Sequence, residues 1–269
     1  MNRKTLKALL CAFVLLAAAV PGGCSTGSAQ SADPLIDFIG SDKSLAAEDY
    51  VTFGHYEQDN DLSNGAEPIE WRVVSVQKEM GKVVLLSRYG LDARPYHNEE
   101  LTAMHTDSSV SWDMCDLRIW LYDEFYNTAF SPEDQSAILP LFVDSNSGSY
   151  CPEEYSGEYT DDLVSIFTIN QARAYRTGRI LDLATSNTAY AEAQGAPSYQ
   201  GNAEWWLCTH ESYGACHLFK FDDSIRSDFL TEIKGVRPII LVKPEVLTKI
   251  PFQEEKKARS TNAGAPLFL

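Results

Sequence analysis

Three apolar runs in quick succession constrain this chain more than anything else in it: "YVTFGHY" from Tyr50, "PIEWRVVSV" from Pro68 and "KVVLLSRYGLD" from Lys82. In the second run Ile69, Trp71, Val73 and Val74 are apolar, a pattern that reads as a strand, as do its two neighbours. Three strands in a row predict an antiparallel meander. The next stretch has a different period. In "SWDMCDLRIWLYDEFYNTAF", Leu117, Trp120, Leu121 and Phe125 recur at helical spacing, with Ser111 or Asp113 as the expected cap. "SPEDQSAIL" starts a second helix, with Ser131 as N-cap and Pro132 at the first helical position. "LVSIFTINQARAY" reads as a short strand running into a helix, where Thr168 and Gln171 form a capping-box pattern. "SNTAYAEAQG" is a short helix closed by Gly195. The last third returns to strands in "EWWLCTH", "CHLFKFD" and "GVRPIILVKP". The expected class is therefore α+β, with strands at both ends of the domain and two or more helices between them.

The start of the chain is an export signal. "MNRKTLK" is a basic n-region and "ALLCAFVLLAAAV" an apolar h-region too short to span a bilayer. "VPGGC" comes next. A small residue before Cys24 at the end of an h-region resembles a bacterial lipoprotein box, which implies lipidation of Cys24 and attachment to the cell membrane through that lipid. Pro21 stands where that motif usually has Leu, and full secretion is the alternative. The expected organisation is a signal peptide over 1–23, a lipidated Cys and flexible tether over 24–44, one domain over 45–250 and a loose polar tail over 251–269. With 38 acidic against 22 basic residues, the net charge is −16. Such a surface repels nucleic-acid phosphates, and no basic stripe offsets it, so nucleic acid is excluded as a partner.

Several stretches carry chemistry. In "DNDLSNGAEPIE", Asp59, Asp61, Ser63, Gly65, Glu67 and Glu70 fall at positions 1, 3, 5, 7, 9 and 12 of a calcium-loop register. Asn64 replaces the glycine of position 6, and the flanks read as strands rather than helices. The stretch therefore reads first as a solvated hairpin turn, with calcium through Asp59, Asp61, Ser63 and Glu70 as the cofactor alternative. Beyond the leader and Cys24, Cys115, Cys151, Cys208 and Cys216 remain. In an exported domain these suggest up to two disulfides, Cys208–Cys216 across the "THESYGA" hairpin and Cys115–Cys151, with burial as unpaired thiols as an alternative. The other use of "CTHESYGACH" is zinc or copper held by Cys208, His210, Cys216 and His217. Trp205 and Trp206 are adjacent, so on a strand they face opposite sides. One is expected in the core; the other reads either as packed too, since tryptophan buries well, or as a stacking platform for a ligand, with His210, Tyr213 and Tyr199 nearby. Trp112, Trp120, Phe125 and Phe130 read as core. Arg118 and Arg237 sit among apolar residues and need partners, for which Asp116 and Asp222 are candidates. Acidic pairs such as Glu99 with Glu100 and Asp161 with Asp162 look like any acidic surface. No nucleophile elbow or phosphate loop is present in the sequence.

The ordered set "VTFGHYEQDNDLSNGAEPIEWRVV", "LLSRYGLDARPYH", "LRIWLYDEFYNTAF", "WWL" and "GVRPIIL" resembles a bacterial family, often secreted or surface-attached, catalogued as domain of unknown function 6273. The resemblance covers most of Val51 to Val242 and carries no activity. In that family "W-W-L" is commonly followed by Arg, where this chain has Cys208. A looser similarity, a late aromatic strand followed by a closing "GVRP" strand, points to the C-type-lectin-like superfamily and its formylglycine-generating branch. It implies terminal strands paired around two helices, on a fold that hosts sugar binding, protein binding and copper-dependent oxidation. The function expected is a non-catalytic extracytoplasmic binding module that recognises a glycan or a surface protein. The alternatives are a copper-dependent oxidase-like enzyme using Cys208 and Cys216, and a structural envelope protein.

Overall fold

The structure is a computed structural model that describes residues 45–98, 110–146, 148, 156–177, 182–211, 215–219 and 224–250. The signal peptide, Cys24, the tether, the tail, Glu99, Glu100, Cys151, Tyr213 and Asp222 lie outside the described residues.

The meander forms as expected. β1 (Tyr50–Tyr56), β2 (Glu67–Gln77) and β3 (Lys82–Ser87) pair antiparallel in order, with Val51 opposite Trp71 and Trp71 opposite Ser87. Gly54 breaks the register between Thr52 and His55 with φ +69°, and its Cα lies so close to Phe130 and the Ala129 carbonyl that a side chain would collide with both. β4 (Asp92–Pro95) is next. Then comes the helical stretch: α1 (Asp116–Trp120), a π-helical turn (Leu121–Phe125) and α2 (Tyr126–Ala129). Its cap is neither Ser111 nor Asp113. Cys115 caps α1, its sulfur accepting the Arg118 N–H at 3.4 Å, because Ser111 is used one turn earlier to open a 3₁₀ turn (Trp112–Met114). α3 (Pro132–Ala137) carries the expected Ser131 cap as a full capping box with Asp134.

The middle of the chain holds β5 (Ile138–Leu139), β6 (Leu141–Val143), β7 (Thr160–Asp162), α4 (Ile169–Thr177), α5 (Ala189–Ala193), β8 (Ser198–Tyr199) and β9 (Asn202–Ala203). The strand expected before α4 is reduced to one bridge, Ser165 with Ile239. The Thr168 box at the start of α4 is made: the Thr168 N–H donates to Gln171 Oε1 at 2.9 Å and the Gln171 N–H to Thr168 Oγ1 at 3.1 Å. β10 (Trp205–His210), β11 (Ala215–Phe219), β12 (Ile225–Phe229), β13 (Ile233–Val236), β14 (Ile239–Val242) and β15 (Thr248–Ile250) complete the chain.

"GVRPIIL" is two strands, not one. Pro238 cannot donate to a ladder, and at Arg237–Pro238 the chain leaves one sheet for another. β13 lies in a five-stranded sheet of order β12-β11-β10-β13-β4, whereas β14 lies in a six-stranded sheet of order β15-β1-β2-β3-β14-β5. The fold is α+β, with the first and last strands sharing a sheet and the helices supplied by the middle of the chain.

Both adjacent tryptophans are core, so of the two readings the packed one holds and the stacking platform does not. Trp205 and Trp206 are each 0% exposed, as are Trp71 and Trp112. An alternating strand leaves one face wet only where that face is uncovered, and β10 is buried at every position. A tryptophan buries about 200 Å² of largely apolar surface, a gross gain of about 5 kcal/mol that a surface position would forfeit. His210 is buried on the same strand.

The arginine partners also differ from expectation. Arg118 pairs with Asp162 at 2.8 Å, not with Asp116. Arg237 donates to backbone carbonyls, Nε to Ser87 O at 2.9 Å and a terminal nitrogen to Leu183 O at 2.8 Å, and its guanidinium lies over the Trp205 ring.

Candidate functional site

A groove of about 270 Å³ lies where β4 meets the helical stretch. Its helical wall is written at positions i, i+3, i+4, i+7 and i+8: Asp116, Ile119, Trp120, Asp123 and Glu124. Leu117, at the floor of the groove, is buried, and Leu121 and Phe125 behind it are fully buried and hold the wall against the core. Asp123 and Glu124 sit inside the π-helical turn, a local geometry that recurs at functional sites.

The facing wall comes from β4, whose four residues "DARP" alternate in role. Asp92 points inward and is 0% exposed. It accepts a hydrogen bond from the Tyr56 hydroxyl on one oxygen and from the Ala93 N–H at 2.7 Å on the other. Arg94 lies on the groove side, with 39% of its side chain exposed. Its guanidinium stacks over the Trp120 ring at 4.6 Å, and its backbone carbonyl takes the Trp206 indole N–H at 2.9 Å. Trp206 thus reaches the site from beneath, as a support for β4 and not as a ligand contact. Asp92 Oδ1 is 3.6 Å from Arg94 Nε, too far for a hydrogen bond, and that Nε is enclosed without a hydrogen-bond partner.

The acids of the helical wall are unequal. Asp116 is spent locally: it accepts from the Asn98 N–H and side-chain amide, both at 2.8 Å, with His97 Nδ1 3.1 Å away. The Asp123 and Glu124 carboxylates are exposed and make no hydrogen bond or ion pair among the described residues. The lining contains no serine, threonine, cysteine, lysine or histidine. What the groove presents is a stacked guanidinium whose terminal nitrogens make no hydrogen bond among the described residues, and carboxylates with lone pairs unused among them.

Burial holds the Asp92 carboxyl above the ordinary carboxylate value of 3.8, outweighing the hydrogen bonds from Tyr56 and Ala93. The Tyr56 and Tyr190 hydroxyls are raised as well, by burial first and then by Asp92. For an acid whose pKa is raised on folding, the stabilising contribution is complete below the unfolded value and is lost as pH rises through the folded one. Asp92→Asn cannot titrate. The stability gap between wild type and Asp92→Asn should therefore be more favourable to wild type at about pH 3.5 than at about pH 7. Urea midpoints of both proteins at the two pH values check this, and a gap that widens toward neutrality would refute it.

The acidic loop folds as a turn between β1 and β2. Asp59 accepts from the Asp61 N–H and the Asn64 side chain, both at 2.8 Å, and Asp61 accepts from the Ser63 N–H and hydroxyl. These bonds to Asn64 and Asp61 lower the pKa of Asp59. Glu70 stays on β2, paired with Arg88 at 2.6 Å. The carboxylates that converge among the described residues are Glu57, Asp59 and Glu67, within 4.8 Å of one another, a different set from Asp59, Asp61, Ser63 and Glu70.

The cysteines are corrected too. Cys115 and Cys208 are free and buried, so neither the Cys208–Cys216 nor the Cys115–Cys151 bridge is formed. Strand register places Cys216 opposite His210, not opposite Cys208. Burial pushes the Cys115 thiol up to about 12 and the Cys208 thiol well above its ordinary value, which disfavours the thiolate that a metal needs. The Tyr96 hydroxyl donates to the Cys208 carbonyl at 2.9 Å, which places this residue in the packed interior.

Sequence reasoning missed Arg94, Asp123 and Glu124. The signal was present in the helix: acids at the i and i+7 positions of a face that also carries a tryptophan, opposite a clean apolar face. Arg94 had no such mark, since an alternating four-residue strand is too short to read.

Residues 80–244 match the family described as "Domain of unknown function (DUF6273)", a span that contains every residue of the groove. No curated protein and no solved structure matches the chain.

Proposed function

The chain belongs to the DUF6273 family, and on that premise we propose that the groove is the working site of a non-catalytic binding module, carried outside the cytoplasm by a bacterial lipoprotein anchored at Cys24. The module recognises a glycan or a surface protein. The observation that carries this reading is the pair of walls: Arg94, stacked on Trp120, with no hydrogen bond to its guanidinium among the described residues and only a 3.6 Å ion pair from its Nε to Asp92, and on the helical side Asp123 and Glu124, whose carboxylates make no hydrogen bond or ion pair among the described residues. Buried or half-buried polar groups are ordinarily satisfied within the fold. Groups left over in a concave site are there to be satisfied by a ligand. A C-type-lectin-like arrangement is in keeping with β1 pairing β15 and with β14 entering between β3 and β5, since the ends of the domain then close one sheet around the helical middle.

Arg94→Ala is the test. The side chain is part-exposed and forms no hydrogen bond, so its loss should cost at most about 1 kcal/mol of stability. Binding should fall at least about tenfold. Wild type and variant are compared on a glycan array and against purified surface proteins of the producing cell. Equal binding by both proteins would move the site elsewhere, and no binding by wild type at high concentration would end the reading.

A further inference from the structure

We propose that the ligand of this groove is a zwitterion of the amino-acid type, carrying a carboxylate for Arg94 and an ammonium for Asp123 and Glu124. The inference rests on the groove being a binding site, and it puts a small zwitterion there in place of a glycan or a folded surface protein.

The aromatic surface is the first reason. A ring-stacking sugar site needs an open aromatic face. Trp120 is 8% exposed, with the Arg94 guanidinium over its ring at 4.6 Å and Phe125 at 5.7 Å between ring centroids. The indole therefore serves to hold the guanidinium flat, and the face presented to solvent is cationic.

Arg94 is the second. Stacking fixes the plane of the guanidinium, and a fixed fork matches a carboxylate with two parallel hydrogen bonds. Its nearest acid cannot take that role: Asp92 already receives Tyr56 and the Ala93 N–H, and stands 3.6 Å off. The enclosed Nε is turned to Asp92, 3.6 Å away, and the terminal nitrogens of the fork make no hydrogen bond among the described residues.

The opposing wall is the third. Asp123 and Glu124 put two unpaired carboxylates beside that cation, with no ion pair bridging the groove among the described residues. A purely anionic ligand would meet them with repulsion. A purely cationic one would be opposed by Arg94, whose terminal nitrogens would gain no acceptor from it. A ligand with both charges satisfies both walls, and charge mismatch rejects the other two. The volume of about 270 Å³ suits a small molecule or a chain end and not a folded partner. Ile119, 48% exposed at the edge of the groove, offers an apolar surface for the ligand's side chain.

The test is isothermal titration of the full-length chain with glycine, leucine, lysine and glutamate. The best of these is then compared with its N-acetyl derivative, its amide and a neutral disaccharide. At least one amino acid should bind, and blocking either end should weaken it about tenfold or more, because a site group is then left unpaired. Arg94→Gln should abolish the preference for the acid over the amide. Asp123→Asn with Glu124→Gln should abolish the preference for the free amine over the N-acetyl form. Thermal midpoints of the variants should stay within a few degrees of wild type, which separates recognition from folding. Blocked forms that bind as well as the free amino acid overturn the proposal. If the disaccharide binds in an Arg94-dependent way and no amino acid does, the zwitterion falls and the groove stands. If none of these probes binds up to about 10 mM, a concentration at which even ligands worth only about 3 kcal/mol register, the zwitterion falls. The array comparison with Arg94→Ala then decides the groove separately.

Discussion

Arg237→Ala should lower the unfolding free energy by about 3–5 kcal/mol, the sum of two or three orphaned buried acceptors and a cavity. The side chain is 2% exposed and lies at the point where the chain passes from β13 to β14. Its fork reaches three carbonyls, those of Ser87 and Leu183 at 2.9 and 2.8 Å and that of Arg88 at 3.4 Å. Burial pulls its pKa down to about 9, so the group is still charged at neutral pH and still costs desolvation energy. Removing the charge recovers part of that cost. The carbonyls it leaves behind have no water to turn to, and their loss outweighs the recovery. Arg237→Lys should fall between wild type and alanine, because an ammonium keeps the charge but cannot span three acceptors in one plane or lie flat on Trp205. Urea denaturation of the three proteins orders them. A midpoint for Arg237→Ala equal to wild type would show that the carbonyls find other donors.

Asp162→Ala should cost about as much, again about 3–5 kcal/mol. Asp162 is 4% exposed and is the shared acceptor of three side chains: the Trp112 indole N–H at 2.7 Å, Arg118 Nε at 2.8 Å and the Thr160 hydroxyl at 3.0 Å. It ties the 3₁₀ turn and α1 to β7. Without it the Trp112 N–H is a buried donor with no acceptor, and the guanidinium loses its charge partner. Arg118→Met should cost less, since the carboxylate would keep the Trp112 and Thr160 donors. Chemical denaturation with indole fluorescence reads both the loss and its location. A cost below about 1 kcal/mol for Asp162→Ala would mean that the three donors are not held by it.

The same residue shows where sequence reading stops. Asp161 and Asp162 are indistinguishable as letters, yet one faces water and the other is the hub of a buried network. Local signals were legible: the meander, the boxes at Ser131 and Thr168, and Gly195 with φ +100° closing α5 all arise from spacing and capping chemistry. What depends on distant partners was not. Nothing in "EWWLCTH" announces that β10 is covered on both faces, so the letters alone allow a platform where there is core. The calcium register spaced Asp59 and Glu70 correctly along the chain, but pairing of β2 with β3 gave Glu70 to Arg88. Four cysteines in a chain read as exported suggested staples. The fold instead uses one as a helix cap and another as packing. The groove escaped for the same reason, since it joins a four-residue strand to a helix more than twenty positions later.

The pairing of Tyr50 with Ile250 has a consequence for how the chain acquires its shape. The edge of the larger sheet is laid down first and sealed last, and β14, near the end, must slot between β3 and β5 before either neighbour is fully paired. Such remote pairings demand loop closure across nearly the whole domain, which slows folding. A ribosome-bound fragment lacking the final stretch would hold an unsealed sheet. Until the last strands arrive, β1 and β3 each keep one edge without its partner strand.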